Sequence, residues 1–263
     1  MEKLKDDIVM WIREWFEENG DENTPAVIGI SGGKDSSVVA ALCTAALGRE
    51  RVLGVFMPSG KQVDLADSYA LTDHLGINSV QVDVGPMYDK AIEGIESAIG
   101  EITNPLVKGN TQARLRMTTL YAVSQAHNGR VSNNCNASER FVGYSTIYGD
   151  DAGDFSPLSS LISNQVMLLG KELGLPEHLW NKTPIDGLEN NLVDGVNLTD
   201  EDVMGFTYNQ LDEFMLTGVV EGEPAITKLI ADKHKHSEFK RKLPRIPHFK
   251  YIDGVSELID GGK

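Results

Sequence analysis

The residues best suited to chemistry are Ser31–Ser37, which read SGGKDSS. The apolar run Ala26–Ile30 precedes them and the Ala/Leu-rich run Val38–Leu42 follows. This order predicts a buried strand, a glycine–serine turn and a helix. Such a turn binds phosphate, because glycines allow close backbone approach and the unpaired N–H groups of the helix point at the anion. An ordinary strand-to-helix turn is the alternative; the motif in this context favours the phosphate loop.

The glycine spacing in Ser31–Ser37 matches neither the P-loop pattern GxxxxGK[ST] nor the dinucleotide-binding pattern GxGxxG. It resembles instead the pyrophosphate loop of the N-type ATP pyrophosphatases. Those enzymes cleave ATP between the α and β phosphates, adenylate a carbonyl oxygen and let a nucleophile displace AMP. The resemblance implies a set of ATP-binding residues in and around the loop. These are Gly29, Ile30, Ser31, Gly32, Gly33, Lys34, Asp35, Ser36, Met57, Gln62 and Asn134.

Two further blocks narrow the resemblance. Lys108–Met117 reads KGNTQARLRM, and Asn136–Glu139 reads NASE, followed by GYSTIYGDDAGDFSPL over Gly143–Leu158. Together with the loop, these blocks resemble the ammonia-dependent NAD synthetases over about residues 28–187. That family amidates nicotinic acid adenine dinucleotide: ATP adenylates the nicotinate carboxylate, ammonia attacks, and AMP and pyrophosphate leave.

The resemblance implies roles for individual residues. Asp35 and Glu139 match the catalytic magnesium ligands, and hard carboxylate oxygens suit Mg²⁺ on a polyphosphate. The resemblance also implies that ATP is the co-substrate. Each residue also has an ordinary interpretation, such as an exposed helical arginine or a turn-forming aspartate, and their joint placement favours a site. The implied substrate-binding residues are Asn110, Arg114, Asp150, Asp154 and Lys240.

Several positions depart from the family pattern. The family has Gly-Thr where this chain has Asn133-Asn134, and a lysine where it has Ile147. The family has a phosphate-binding lysine at the position of Ser163. It has Thr or Ser at the position of Ile185, and histidine at that of Phe239. A charge-assisted contact is commonly worth ~1.5–3 kcal/mol, so the lost lysines matter. Lys34, Lys182 and Lys240 are candidates to compensate. Two alternatives stay open: another carbonyl-adenylating amide ligase of this fold, and a catalytically inactive nucleotide-binding homologue.

Composition restricts the partners. The 263 residues carry a net charge of −15, which does not favour a nucleic-acid partner. Cys43 and Cys135 form no CxxC pair, which argues against zinc and persulfide chemistry. No apolar run approaches the ~20 residues of a membrane span, and the N-terminus has no signal-peptide pattern. We therefore expect a cytoplasmic enzyme that acts on small molecules. Because no glutamine-using domain is recognisable, its ammonia would be taken free or be supplied by a separate protein.

Alternating strand and helix patterns predict the fold class. We expect an α/β protein with an open, mostly parallel twisted sheet and helices on both faces. The family resemblance implies that this fold is Rossmann-like and of the adenine nucleotide alpha-hydrolase type. The expected strands are residues 26–30, 51–57, 79–84 and 130–133. The expected helices are residues 1–19, 63–75, 87–99, 110–128, 166–173, 202–216 and 224–236.

The predicted organisation is one domain over residues 1–263, with an N-terminal helix at 1–19 and a helical and loop region at 181–263. Residues 240–245 are locally basic, and a solvated tail is the ordinary interpretation. The resemblance also implies a homodimer, with the helix at 110–128 in the interface. Burial of that helix inside the monomer is the alternative.

Overall fold

The computed structural model describes residues 1–60, 65–182, 192–193, 196–242, 249–252 and 255–258. Gln62 and Ile185 therefore lie outside the described residues. The helices are α1 (Glu2–Asn19), α2 (Lys34–Leu47), α3 (Leu65–Leu75), α4 (Gly85–Ile99), α5 (Pro105–Ala126), α6 (Ala137–Val142), α7 (Ser163–Glu172), α8 (Glu177–Trp180), α9 (Asp200–Met204), α10 (Tyr208–Thr217), α11 (Pro224–His236) and α12 (Glu238–Arg241). The strands are β1 (Ala26–Gly29), β2 (Val52–Phe56), β3 (Asn78–Gln81), β4 (Arg130–Val131), β5 (Leu192–Val193), β6 (Val196–Asn197), β7 (Phe249–Ile252) and β8 (Val255–Leu258).

The central sheet confirms the predicted fold class. Its order is β3-β2-β1-β4, and all pairs are parallel. Ala26 of β1 pairs with Val52 on one side and Arg130 on the other. Because parallel strands end at one edge of the sheet, the segments that follow β1, β2 and β4 lie together there, where open α/β sheets bind ligands.

Helices cover both faces of this sheet. Consecutive residues of β1 point to opposite sides, so Ile28 joins a core with α1, α2, α7 and α8, whereas Val27 joins a second core under α5. Phe16 and Leu42 lie in the first core, and Leu120 in the second. Burial on both faces explains the continuous apolar run that predicted β1.

The helix predicted over residues 202–216 is two helices, which corrects that expectation. α9 ends at Gly205, whose φ of 82° lies in the left-handed region that glycine adopts without strain. A new capping box, Thr207 with Gln210, then starts α10. The break lets Met204 and Leu211 pack with α6 and α11 in a third apolar cluster beside the sheet edge.

The long helix begins earlier than its pattern predicted. α5 starts at Pro105 rather than at residue 110, because the Asn104 side chain accepts a hydrogen bond from Leu106 N (2.9 Å) and proline suits the first helical turn. Elsewhere the predicted elements agree with the structure to within a few residues. In the part of the chain that the structure describes, no helix is long and apolar enough to cross a membrane.

Candidate active site

The loop between β1 and α2 is braced by its own hydroxyl groups. Gly33 N donates to Ser31 Oγ (3.2 Å), and Ser31 N donates to Ser36 Oγ (3.3 Å). The hydroxyls of Ser36 and Ser37 donate to Gly33 O. Gly32 has a φ of 81°, which a residue with a side chain adopts only with strain. The turn is therefore preformed at the N-terminus of α2, in the geometry expected for a phosphate loop.

A single buried asparagine links the two predicted catalytic carboxylates. Asn136 caps α6: its Oδ1 accepts from Glu139 N (3.1 Å), and its own N donates to Glu139 Oε2 (3.1 Å). Its Nδ2 donates to Asp35 Oδ1 (2.9 Å), on an element 101 residues away. Asp35 and Glu139 are thus brought together at the sheet edge.

The electrostatics of this pair suit a hard divalent cation. Burial, and then the charge of Asp35, hold the pKa of Glu139 well above its usual range. A cation with oxygen preference would relieve both effects, so the residues fit Mg²⁺. Among the described residues, no group of three or more acidic, histidine or cysteine side chains is arranged so that it could hold a metal ion by itself. A magnesium ion here would therefore need further oxygen ligands, such as phosphate.

Lys34 joins the carboxylates to the C-terminal helices. Its ammonium lies 2.8 Å from Asp35 Oδ2 and 4.9 Å from the centre of the Tyr208 ring. Burial favours the neutral amine, but the charges of Asp35 and Glu139 prevail and raise the pKa of Lys34. The ammonium therefore stays charged inside the site.

Asp200 completes this polar cluster. Its two carboxylate oxygens accept from Tyr144 Oη (3.2 Å) and from Tyr208 Oη (3.1 Å). Burial, followed by the charge of Glu139, raises the pKa of the Tyr208 hydroxyl. Sequence reasoning missed Asp200, Tyr144, Tyr208 and Asn136. For Asn136 a signal existed, because Asn-x-x-Glu before a short helix is the pattern of a capping box.

Two predicted substrate residues of α5 contact the segment of residues 143–150. Asn110 Oδ1 accepts from Thr146 Oγ1 (2.8 Å), and Arg114 Nε donates to Ile147 O (3.2 Å). Arg114 is exposed apart from this contact. α5 thus supports the segment and carries a cation beside it.

Asp150 and Lys240 approach the same segment. Asp150 Oδ1 accepts from Thr146 N (2.8 Å), and desolvation of this carboxyl group raises its pKa although the residue as a whole is exposed. The ammonium of Lys240 donates to Gly143 O (2.7 Å) and Ser145 O (2.6 Å), and burial lowers its pKa. Four of the five predicted substrate residues therefore meet on one segment.

The fifth, Asp154, lies apart from them. Its Oδ2 accepts from Val131 N (2.7 Å) at the end of β4, and its Oδ1 accepts from Tyr121 Oη (3.1 Å) of α5. Burial and the Asp154 charge raise the pKa of Tyr121 to about 12. In the structure, the Asp154 side chain therefore joins β4 to α5.

Two predicted ATP-binding residues outside the loop flank the end of β1. Asn134 Nδ2 donates to Gly29 O (3.0 Å), and Ser132 Oγ donates to Asn134 Oδ1 (2.8 Å). The Met57 methyl group lies 3.2 Å from the position that a Cβ on Gly29 would take. Both side chains therefore border the phosphate loop, and a side chain at Gly29 would push Met57 away.

Comparisons with known proteins show the family of this chain. The family model for NAD synthase matches residues 4–244, which is most of the chain. The chain belongs to the NAD synthase family. The prediction of a ligase of the ammonia-dependent NAD synthetase type is confirmed at the level of the family.

Individual relatives of the NAD synthase family cover nearly the whole chain. An NH3-dependent NAD(+) synthetase from Pyrococcus horikoshii is 35% identical over 93% of this chain and 95% of its own length. The structure of NMN synthetase from Francisella tularensis has a TM-score of 0.83 at 35% identity, covering 94% of this chain and 98% of that one. NH3-dependent NAD synthetase from Campylobacter jejuni has a TM-score of 0.73 at 28% identity, covering 94% and 99%.

One departure from the family pattern has a clear structural setting. Ser163 is buried at the start of α7, where its backbone N donates to Ser138 Oγ (3.0 Å). The carboxylate of the buried Asp212 accepts from Ser138 Oγ (2.6 Å) and from Asn164 N (3.0 Å). Asp212 of α10 thus accepts a hydrogen bond at the N-terminus of α7. Ser163 occupies an enclosed position beside α6.

The C-terminal helices hold the far end of α6. Arg241 Nη1 donates to Phe141 O (2.9 Å) and Arg140 O (3.2 Å), and its Nη2 donates to His234 O (2.5 Å). His234 Nδ1 also lies 2.8 Å from Phe141 O. The interpretation of residues 240–245 as a solvated tail is therefore wrong for its first two residues, since Lys240 and Arg241 bind backbone carbonyls.

Proposed function

We propose that this protein catalyses the ATP-dependent amidation of nicotinic acid adenine dinucleotide to NAD, using free ammonia and releasing AMP and pyrophosphate. The observation that carries the proposal is the junction at Asn136. One side chain and its backbone hold Asp35 and Glu139 beside the phosphate loop. Family membership supports the same chemistry.

The β1–α2 loop binds the ATP phosphates in this proposal. Its backbone N–H groups and the hydroxyls of Ser31 and Ser36 lie at the N-terminus of a 14-residue helix, where an anion is stabilised. Asp35 and Glu139 would hold Mg²⁺, which when bound neutralises charge on the polyphosphate. Asn136 keeps both carboxylates oriented.

The acid substrate lies along residues 143–150 in this proposal. The exposed guanidinium of Arg114 and the ammonium of Lys240 supply positive charge for its phosphates or carboxylate. Asn110 and Asp150 hold the segment through Thr146. The Asp154 side chain binds Val131 N and the Tyr121 hydroxyl instead.

A second candidate substrate is nicotinic acid mononucleotide, which the same amidation converts to NMN. The observation that favours it is the higher TM-score to an NMN synthetase (0.83) than to the Campylobacter NAD synthetase (0.73), at equal coverage of this chain. The chemistry at Asp35 and Glu139 would be unchanged. Only the part of the substrate beyond the nicotinate ribose phosphate would differ.

Pyrophosphate release with ATP, Mg²⁺ and ammonium tests both candidates. We expect release to depend on an added nicotinic acid nucleotide, and comparison of kcat/KM for the dinucleotide and the mononucleotide identifies the substrate. Mass spectrometry of the amide product identifies NAD or NMN. If pyrophosphate is released with another carboxylic acid but with neither nicotinic acid nucleotide, the protein is a different amide ligase. If no acid supports release, it is an inactive homologue.

A further inference from the structure

The position of Lys34 is unusual for a residue next to a phosphate loop. Its side chain is only 2% exposed, although it is the first residue of α2. The ammonium contacts Asp35 at 2.8 Å and lies over the Tyr208 ring at 4.9 Å. Lys34 is therefore directed into the carboxylate cluster, and it is held there from two elements far apart in the chain.

The surrounding charge gives this contact its energy. Asp35, Glu139 and Asp200 all act electrostatically on Lys34. Burying carboxylates without a counter-charge is costly, and a hydrogen-bonded ammonium offsets part of that cost. The ring of Tyr208 adds a cation–π contact to the ammonium.

We propose that Lys34 is a resident counter-cation of the Asp35–Glu139 pair, which weakens the binding of free divalent cations and favours cations that arrive with a polyphosphate. The inference rests on the metal site of the proposed function. Positive charge at Lys34 repels a free dication that approaches Asp35. The same charge attracts a magnesium–nucleotide complex, whose net charge is negative.

This relation predicts effects of opposite sign when the charge of Lys34 is removed. In Lys34→Met, Mn²⁺ without nucleotide binds about tenfold more tightly, and Mg·ATP binds about tenfold more weakly. A merely structural role would weaken both. Lys34→Arg keeps the positive charge, so its Mn²⁺ affinity stays closer to that of the wild type.

Electron paramagnetic resonance of free Mn²⁺ measures the first affinity, and calorimetry with Mg²⁺ and a non-hydrolysable ATP analogue measures the second. The matched control is Lys90→Met. It removes the same charge from an exposed lysine of α4 that pairs with Glu93, and should change neither affinity. Equal or weaker Mn²⁺ binding by Lys34→Met, or unchanged nucleotide binding, overturns the inference.

A folding defect in Lys34→Met is handled by a second measurement. Lys34→Gln keeps a donor for Asp35 without the charge, and Mg²⁺ should raise its melting temperature more than that of the wild type. No larger increase overturns the inference. Amide product formation by the wild type is measured in parallel, so that a failure of the proposed reaction is distinguished from a failure of this charge relation.

Discussion

The side-chain amide of Asn136 donates a hydrogen bond of 2.9 Å to Asp35, across the edge of the central sheet. The same residue caps α6 and holds Glu139 through two further hydrogen bonds. A side chain with both a donor and an acceptor is needed, because Asp35 requires a donor and Glu139 N requires an acceptor. Asparagine at this position therefore sets the relative placement of both carboxylates.

Asn136→Ala should lower kcat by more than about tenfold, which corresponds to ~1.4 kcal/mol of activation free energy. The substitution frees Asp35 to move and also removes a helix cap, which costs about 1 kcal/mol of stability. Steady-state kinetics and urea unfolding measure the two effects. Asn104→Ala is the control, since it removes the asparagine cap of α5 without a contact to either carboxylate. Equal kcat in both variants contradicts the prediction.

Asp35→Asn and Glu139→Gln should each abolish turnover and leave the fold intact. Both changes keep the shape of the side chain and remove the charge proposed to hold Mg²⁺. Steady-state turnover and melting temperature are measured beside Asp73→Asn, which alters an exposed aspartate of α3. A variant that keeps more than about a tenth of the wild-type kcat, an effect under ~1.4 kcal/mol, is not a ligand of the metal.

Arg241→Met should destabilise the protein by about 1–3 kcal/mol, because it removes charged donors from the carbonyls of Arg140, Phe141 and His234. We also expect a lower kcat, since Arg241 joins the end of α6, the helix that carries Glu139, to α11. Chemical unfolding and kinetics measure both. Lys242→Met removes only an exposed pair with Glu238 and should change stability by less than ~0.5 kcal/mol. Similar losses of stability in both variants would contradict a role of Arg241 in holding α6.

We predict a homodimer in solution, formed through α5. Thr119 and Leu120 bury one side of this helix on the sheet, while Thr118, Ala122 and Gln125 remain exposed. Ala122→Arg places a long charged side chain on the exposed side and should give a 28.8 kDa monomer in sedimentation velocity. The control Ala225→Arg alters an exposed alanine of α11 and should leave the dimer intact. A wild type that is monomeric and active at micromolar concentration contradicts the prediction.

Cys43 and Cys135 should be unreactive in the native protein. Both are buried, and burial raises the pKa of both thiols, so that neither carries appreciable thiolate near neutral pH. Ellman's reagent should therefore titrate no thiol in the folded protein and both thiols in denaturant. Rapid reaction of either thiol in the native state contradicts the prediction.

The sequence alone determined much of this protein. The run from Ala26 to Leu42 predicted strand, phosphate loop and helix, because apolar runs and glycine–serine turns are local signals. The same periodicity predicted the parallel sheet. The three motif blocks identified the family, since their residue types and spacing do not depend on knowing the fold.

The assembly of the site depends on contacts that the sequence does not reveal. The bonds of Asn136 to Asp35, and of Arg241 to Phe141, join residues about 100 positions apart and leave no pattern in local periodicity. By its sequence position Lys34 is a lysine of the phosphate loop. The structure places its ammonium over the ring of Tyr208, 174 residues further along the chain. Contacts of this kind depend on which elements meet at the sheet edge. That is set by the summed burial of the whole core and by no single segment.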